Sequence, residues 1–191
     1  MRGASGAFAA TAMRVLSRQE DFWKESAAED VHKLLCYSFY LGFFAFAGYL
    51  FSYTVRGTIW NFWPFIQTTL DVGSGLVFAG LQWVFFCSFP VWSALILERI
   101  TSRSKMRFEF YNCVVVTTYS MTPLCLCVLF IGVPFVDRIL STIGFTSFLY
   151  LLYYGFRSLS GFTISRAFLS TLLVLILFAL IREMFVFAIG F

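Results

Sequence analysis

Charge is scarce in this chain and histidine nearly absent: 13% of the 191 residues are charged, and His32 stands alone. With one histidine and no cysteine pair outside the apolar stretches, metal ligation has no spacing to build on. Cys36, Cys87, Cys113, Cys125 and Cys127 all fall within apolar runs, where cysteine acts as a small apolar residue. Cys125 and Cys127, two apart, point to nearly opposite faces of a helix. The sequence also lacks a Gly-rich phosphate loop, a Ser/His/Asp set and paired carboxylates in a polar setting, so no enzyme, cofactor or nucleic-acid partner is expected. Internal repeats, low-complexity tracts and a Gly-x-x-x-Gly pair for close helix packing are missing too.

What the chain has in abundance is apolar surface. Sixty per cent of its residues are hydrophobic, 21% aromatic, and phenylalanine alone contributes 26. A water-soluble chain of this length has no interior large enough to hide them. A helix crosses the hydrocarbon core with roughly 20 apolar residues, and five stretches fit: 34–55, 76–97, 110–131, 139–156 and 168–191. The expected fold class is therefore all-α, a polytopic membrane protein with five transmembrane helices. It divides into a basic, then amphipathic, N-terminal segment over 1–33 and a membrane domain over 34–191. The third and fourth spans, joined by the short stretch Gly132 to Arg138, make an antiparallel hairpin.

Orientation follows from the cations, because Lys and Arg in short flanking segments stay on the side of insertion. Eleven of them precede the first span or lie between the second and third and between the fourth and fifth, against Arg56 and Arg138 on the other side. Five crossings then place the N-terminus inside and the C-terminus outside. A count of four or six spans disturbs this partition.

The first 19 residues hold Arg2, Arg14 and Arg18, no acid and many small residues, the composition of an organellar presequence or of a basic, Ala-rich cytosolic tail. From Arg18 on, Phe22, Trp23, Val31 and Leu34 interleave with acids and lysines, which predicts a segment along the headgroup region with its rings in lipid. His32, at its end, reads as an interfacial side chain rather than a ligand or proton shuttle. Trp60 and Trp63, with Pro64, mark a surface helix or shallow re-entrant turn after the first span, so Trp23, Trp60 and Trp63 are the expected membrane-interface residues.

Pro90 in the second span and Pro123 in the third each delete a backbone donor, and in lipid the freed carbonyl must find a neighbouring helix or a hydroxyl. Asn112, Thr118, Tyr119, Ser120 and Thr122 offer such groups on the third span. Their simplest role is contact between helices, worth about 0.6 kcal/mol per hydrogen bond; a substrate path is the sharper alternative. Arg182 and Glu183 interrupt the fifth span, about 21 Å along the helix from Phe168. Adjacent helical residues diverge by about 100°, so these two do not neutralise each other. Either the membrane boundary falls near Ile181, or they pair with other helices or subunits, or they line an ion path.

From Tyr119-Ser120-Met121-Thr122-Pro123 onward, the sequence resembles the Yip family of multi-pass proteins named for interaction with Ypt/Rab GTPases. Pro134 after the third span, Tyr153-Tyr154-Gly155 ending the fourth and Arg166-Ala167 opening the fifth extend the likeness over roughly residues 80 to 180. The resemblance implies five spans, a cytosolic N-terminus and a non-catalytic role in ER or Golgi trafficking exercised through partners, small GTPases among them. Family members also carry a longer N-terminal segment with an acidic Gly-Pro motif, of which Asp21-Phe22-Trp23 is at best a remnant. The competing expectation is a structural accessory subunit of a mitochondrial inner-membrane complex, motivated by the Ala/Arg-rich start, the short loops and the excess of Phe. On either reading the partners are membrane lipids and other membrane-protein subunits or a second copy, and the contact residues are Tyr119, Thr122, Pro123, Pro134, Arg182 and Glu183.

Overall fold

In a computed structural model, the described residues are 2–17, 19–26, 29–60, 72–101, 109–128 and 136–189. They form eight helices and no strand: α1 (Arg2–Ser17), α2 (Gln19–Ser26), α3 (Val31–Trp60), α4 (Val72–Thr101), α5 (Phe110–Ser120), α6 (Thr122–Val128), α7 (Val136–Leu159) and α8 (Ile164–Ile189). Five stretches are long and apolar enough to cross a membrane: Val31–Phe51, Ala79–Ile100, Phe110–Val128, Arg138–Leu159 and Ile164–Ile181. The chain is thus an all-helical polytopic membrane protein with five candidate spans.

The first span begins where the sequence offers an N-cap. The Asp30 carboxylate accepts the backbone N–H of His32 at 3.2 Å, and the apolar run then carries α3 for 30 residues. Thirty residues rise about 45 Å, enough for α3 and α4 to pass through the hydrocarbon and into both headgroup layers.

The third span is the centre of the bundle. It packs against α3, α4 and α7, while α8 lies outside on α7 and α4. Two thirds of the third span's residues are buried, against about one fifth in the fifth span. Its backbone is broken where Pro123 predicts: α5 stops at Ser120, Met121 bridges, and α6 starts at Thr122. The ladder continues across the break, with Met121 N–H donating to the Thr117 carbonyl at 3.2 Å and Cys125 N–H to the Met121 carbonyl at 3.0 Å.

Glycines set the close crossings without a Gly-x-x-x-Gly pair. A Cβ at Gly48 would meet the Val128 side chain at 2.8 Å and its backbone at 2.9 Å; one at Gly144 would meet the Cys127 sulfur at 2.7 Å. Gly42 in the same way makes room for Trp83 and Cys87. The first two spans are also stitched by Ser38 and Cys87, whose side chains each donate to the other's carbonyl, at 3.4 and 3.6 Å.

Candidate functional site

A cluster of polar contacts lies where the N-terminal helices meet the third span. Pro123 cannot donate to the Tyr119 carbonyl, and the Thr122 hydroxyl takes over that acceptor at 2.7 Å. A hydroxyl has one proton, so the 2.8 Å contact between Tyr37 Oη and Thr122 Oγ1 has tyrosine as donor. The deficit created by one proline is thereby passed on to α3, 85 residues away in sequence.

Tyr119, 1% exposed, is ringed by aromatic side chains: Phe22 edge-on at 4.9 Å, Tyr37 at 4.8 Å and Trp23 at 6.4 Å between centroids. Its hydroxyl donates to the Glu29 carboxylate, and the Tyr111 hydroxyl donates to the Glu29 backbone carbonyl. Both ends of Glu29 are therefore fastened to α5, which fixes the chain leading into α3 against the third span.

Phe22 and Trp23 do not lie in lipid. At 2% and 0% exposure they face the bundle, with the indole seated against Gly155 of α7 and Val116 of α5. Val116 lies six residues, about 9 Å, inside α5, so α2 enters the bundle as a wedge rather than lying across its surface. The reason is Gly155: a Cβ there would come within 2.8 Å of Val116 Cγ1 and 3.1 Å of the Trp23 ring. Its absence opens a seat in which the indole is fully buried. Trp23 Nε1 has no hydrogen-bond partner among the described residues.

The amphipathic pattern is nonetheless present, with Asp21, Lys24 and Glu25 on the exposed face. Arg14 pairs with Glu25 and sits 6.0 Å over the Phe22 ring, joining α1 to α2. Phe8 of α1 in turn stacks on Phe44 at 5.0 Å and contacts Tyr37 at 5.1 Å, anchoring α1 to the first span.

Of the expected contact residues, Tyr119, Thr122 and Pro123 lie together and buried in this core. Glu183 is exposed on α8. Arg182 continues α8 and Trp60 ends α3, with their side chains outside what is described; Pro134 and Trp63 lie outside the described residues altogether. Of the other polar groups on the third span, Asn112 bonds locally to Glu109 at 2.9 Å, while Thr118 Oγ1 and Ser120 Oγ are buried without a partner among the described residues. Sequence reasoning missed Glu29, which it took for one more charge of the amphipathic segment, and it missed Tyr37 and Phe8. Nothing local marks them, since each is defined by a partner in another helix. His32 is exposed, its Nε2 3.8 Å from the Cys36 sulfur, and no three potential metal ligands gather among the described residues.

Compared with protein-family models, the chain matches the Yip1 domain over residues 13–181. That range begins inside α1 and takes in α2, the Tyr119 core and all five candidate spans, well beyond the stretch that carried the resemblance in sequence. No curated protein and no solved structure gives a significant match.

Proposed function

Because the chain belongs to the Yip1 domain family, we propose that it is a non-catalytic protein of ER or Golgi membranes that serves trafficking by holding protein partners at its N-terminal face. The observation that carries this reading is the extent of the family match, which takes in the end of α1 and all of α2 together with the membrane bundle. The eleven cations on the side of α1 and α2 support a cytosolic position for that face. With Phe22 and Trp23 committed to the bundle, the surface offered to a partner such as a small GTPase is the exposed edge of Asp21, Lys24 and Glu25.

The test is localisation of a C-terminally tagged copy, followed by native-gel analysis of the solubilised protein. Co-localisation with ER or Golgi markers and migration as a small assembly support the proposal. Migration in a megadalton mitochondrial band would overturn it in favour of an accessory subunit of an inner-membrane complex.

A further inference from the structure

A cavity of about 270 Å³ opens between α1 and the start of the first span, beside the Tyr119 core. Four of its walls are aromatic, Phe8, Tyr37, Tyr40 and Tyr119, and its charged groups are Glu29 and Lys33. Phe8 and Tyr40 also wall a second cavity of about 410 Å³, which is almost wholly apolar and includes Met13, Leu16, Phe43 and Leu126. The two spaces thus adjoin across one pair of rings, one polar and ring-lined, the other greasy.

This pairing has the chemistry of a phospholipid. Phe8, Tyr37 and Tyr119 are packed on one another and nearly buried, so the accessible ring is that of half-buried Tyr40, and it and the carboxylate together favour a quaternary ammonium, which is attracted to the ring quadrupole but offers no N–H to satisfy. The Glu29 carboxylate is already held in place by the Tyr119 hydroxyl, so its charge is pre-positioned at the cavity wall. Lys33 is exposed and forms no ion pair among the described residues, placing one cation beside that carboxylate for a phosphate. Acyl chains find the apolar cavity beyond Phe8 and Tyr40. We propose that the chain binds one phosphatidylcholine molecule from the bilayer at this site, the choline against Tyr40 and Glu29, the phosphate at Lys33 and an acyl chain along Met13, Phe43 and Leu126. An anionic lipid is disfavoured because Glu29 faces its headgroup, and a primary ammonium is the weaker guest because it stays better hydrated than a methylated one. The site requires α1 to be docked, so lipid and N-terminal helix stabilise one another's position.

The full chain, purified in mild detergent and mixed with equal amounts of phosphatidylcholine, phosphatidylethanolamine and phosphatidylglycerol, is read by native mass spectrometry. One phosphatidylcholine is expected to be retained at least fivefold over phosphatidylglycerol and at least twofold over phosphatidylethanolamine, and Glu29→Gln is expected to lower that retention at least fivefold. Since Glu29→Gln also alters the bond to Tyr119, Tyr40→Leu provides a separate reading: Tyr40 is half-buried, leucine keeps its apolar bulk, and a threefold or greater loss is expected. Equal retention of the three lipids, preference for phosphatidylglycerol, or undiminished phosphatidylcholine in either variant would overturn the proposal.

Discussion

Thr122 shows how much one hydroxyl settles in a setting without water. It donates to the Tyr119 carbonyl, which the α5 cap also reaches by a backbone N–H, and accepts from Tyr37, so removing it leaves the buried Tyr37 hydroxyl without its acceptor. Thr122→Val, nearly isosteric, is expected to cost about 1–2 kcal/mol and to lower the unfolding temperature in detergent by several degrees. Thr122→Ser should keep most of the stability, and an equal loss in both variants would show that the methyl, not the hydroxyl, matters. Tyr119→Phe keeps every ring contact and deletes only the bond to Glu29; about 1 kcal/mol is expected, with the loss no longer additive when combined with Glu29→Gln. The sequence announced that some hydroxyl must answer Pro123 and offered several on the third span. Which one does so depends on side-chain rotamers, and what lies beyond it depends on Tyr37 and Glu29, 85 and 90 residues distant from their partners. No local pattern encodes those pairings.

Among the helices, crossing distance is governed by isolated glycines. Gly48 faces backbone as well as side chain of Val128, which has little room to yield, so Gly48→Ala is expected to destabilise by about 1–3 kcal/mol. Gly80, where a Cβ meets nothing within 4 Å, gives the matched control: Gly80→Ala should be neutral or slightly stabilising by the same thermal measurement. Gly155→Val should expel the indole of Trp23 and free α2, while also pressing on Val116 of α5; hydrogen exchange across 19–26 is expected to speed up at least tenfold, and by more than that of α5 or α7. Spans were readable from length and charge alone, and the central place of the third was foreshadowed by its polar content. The order of packing was not, because helices apolar on every side carry no stripe that names a partner. For the same reason the wedge went unforeseen. Phe22 and Trp23 read equally well as lipid anchors until Gly155, 132 residues after Trp23, is seen to open a seat for them.

Across the whole molecule, the contacts of Glu29 with the start of α5 and of Trp23 with the end of α7 put the N-terminal helices at the same end of the bundle as Arg99, Arg157 and Arg166. The proposed orientation, five crossings with the N-terminus cytosolic, is tested by engineered glycosylation sites at each end, of which only the C-terminal one should be modified. Arg182→Leu is expected to leave insertion intact and to lower the yield of any assembly on native gels; unchanged yield would show that Arg182 lies at the membrane surface rather than in a contact. The seat of Trp23 bears on how firmly such a molecule is shut. A large ring sits there, yet its one N–H meets no acceptor among the described residues. Leaving the seat would return a hydrogen bond to that N–H but would expose the whole indole, so burial of the ring rather than any polar bond is what keeps the amino-terminal wedge in place.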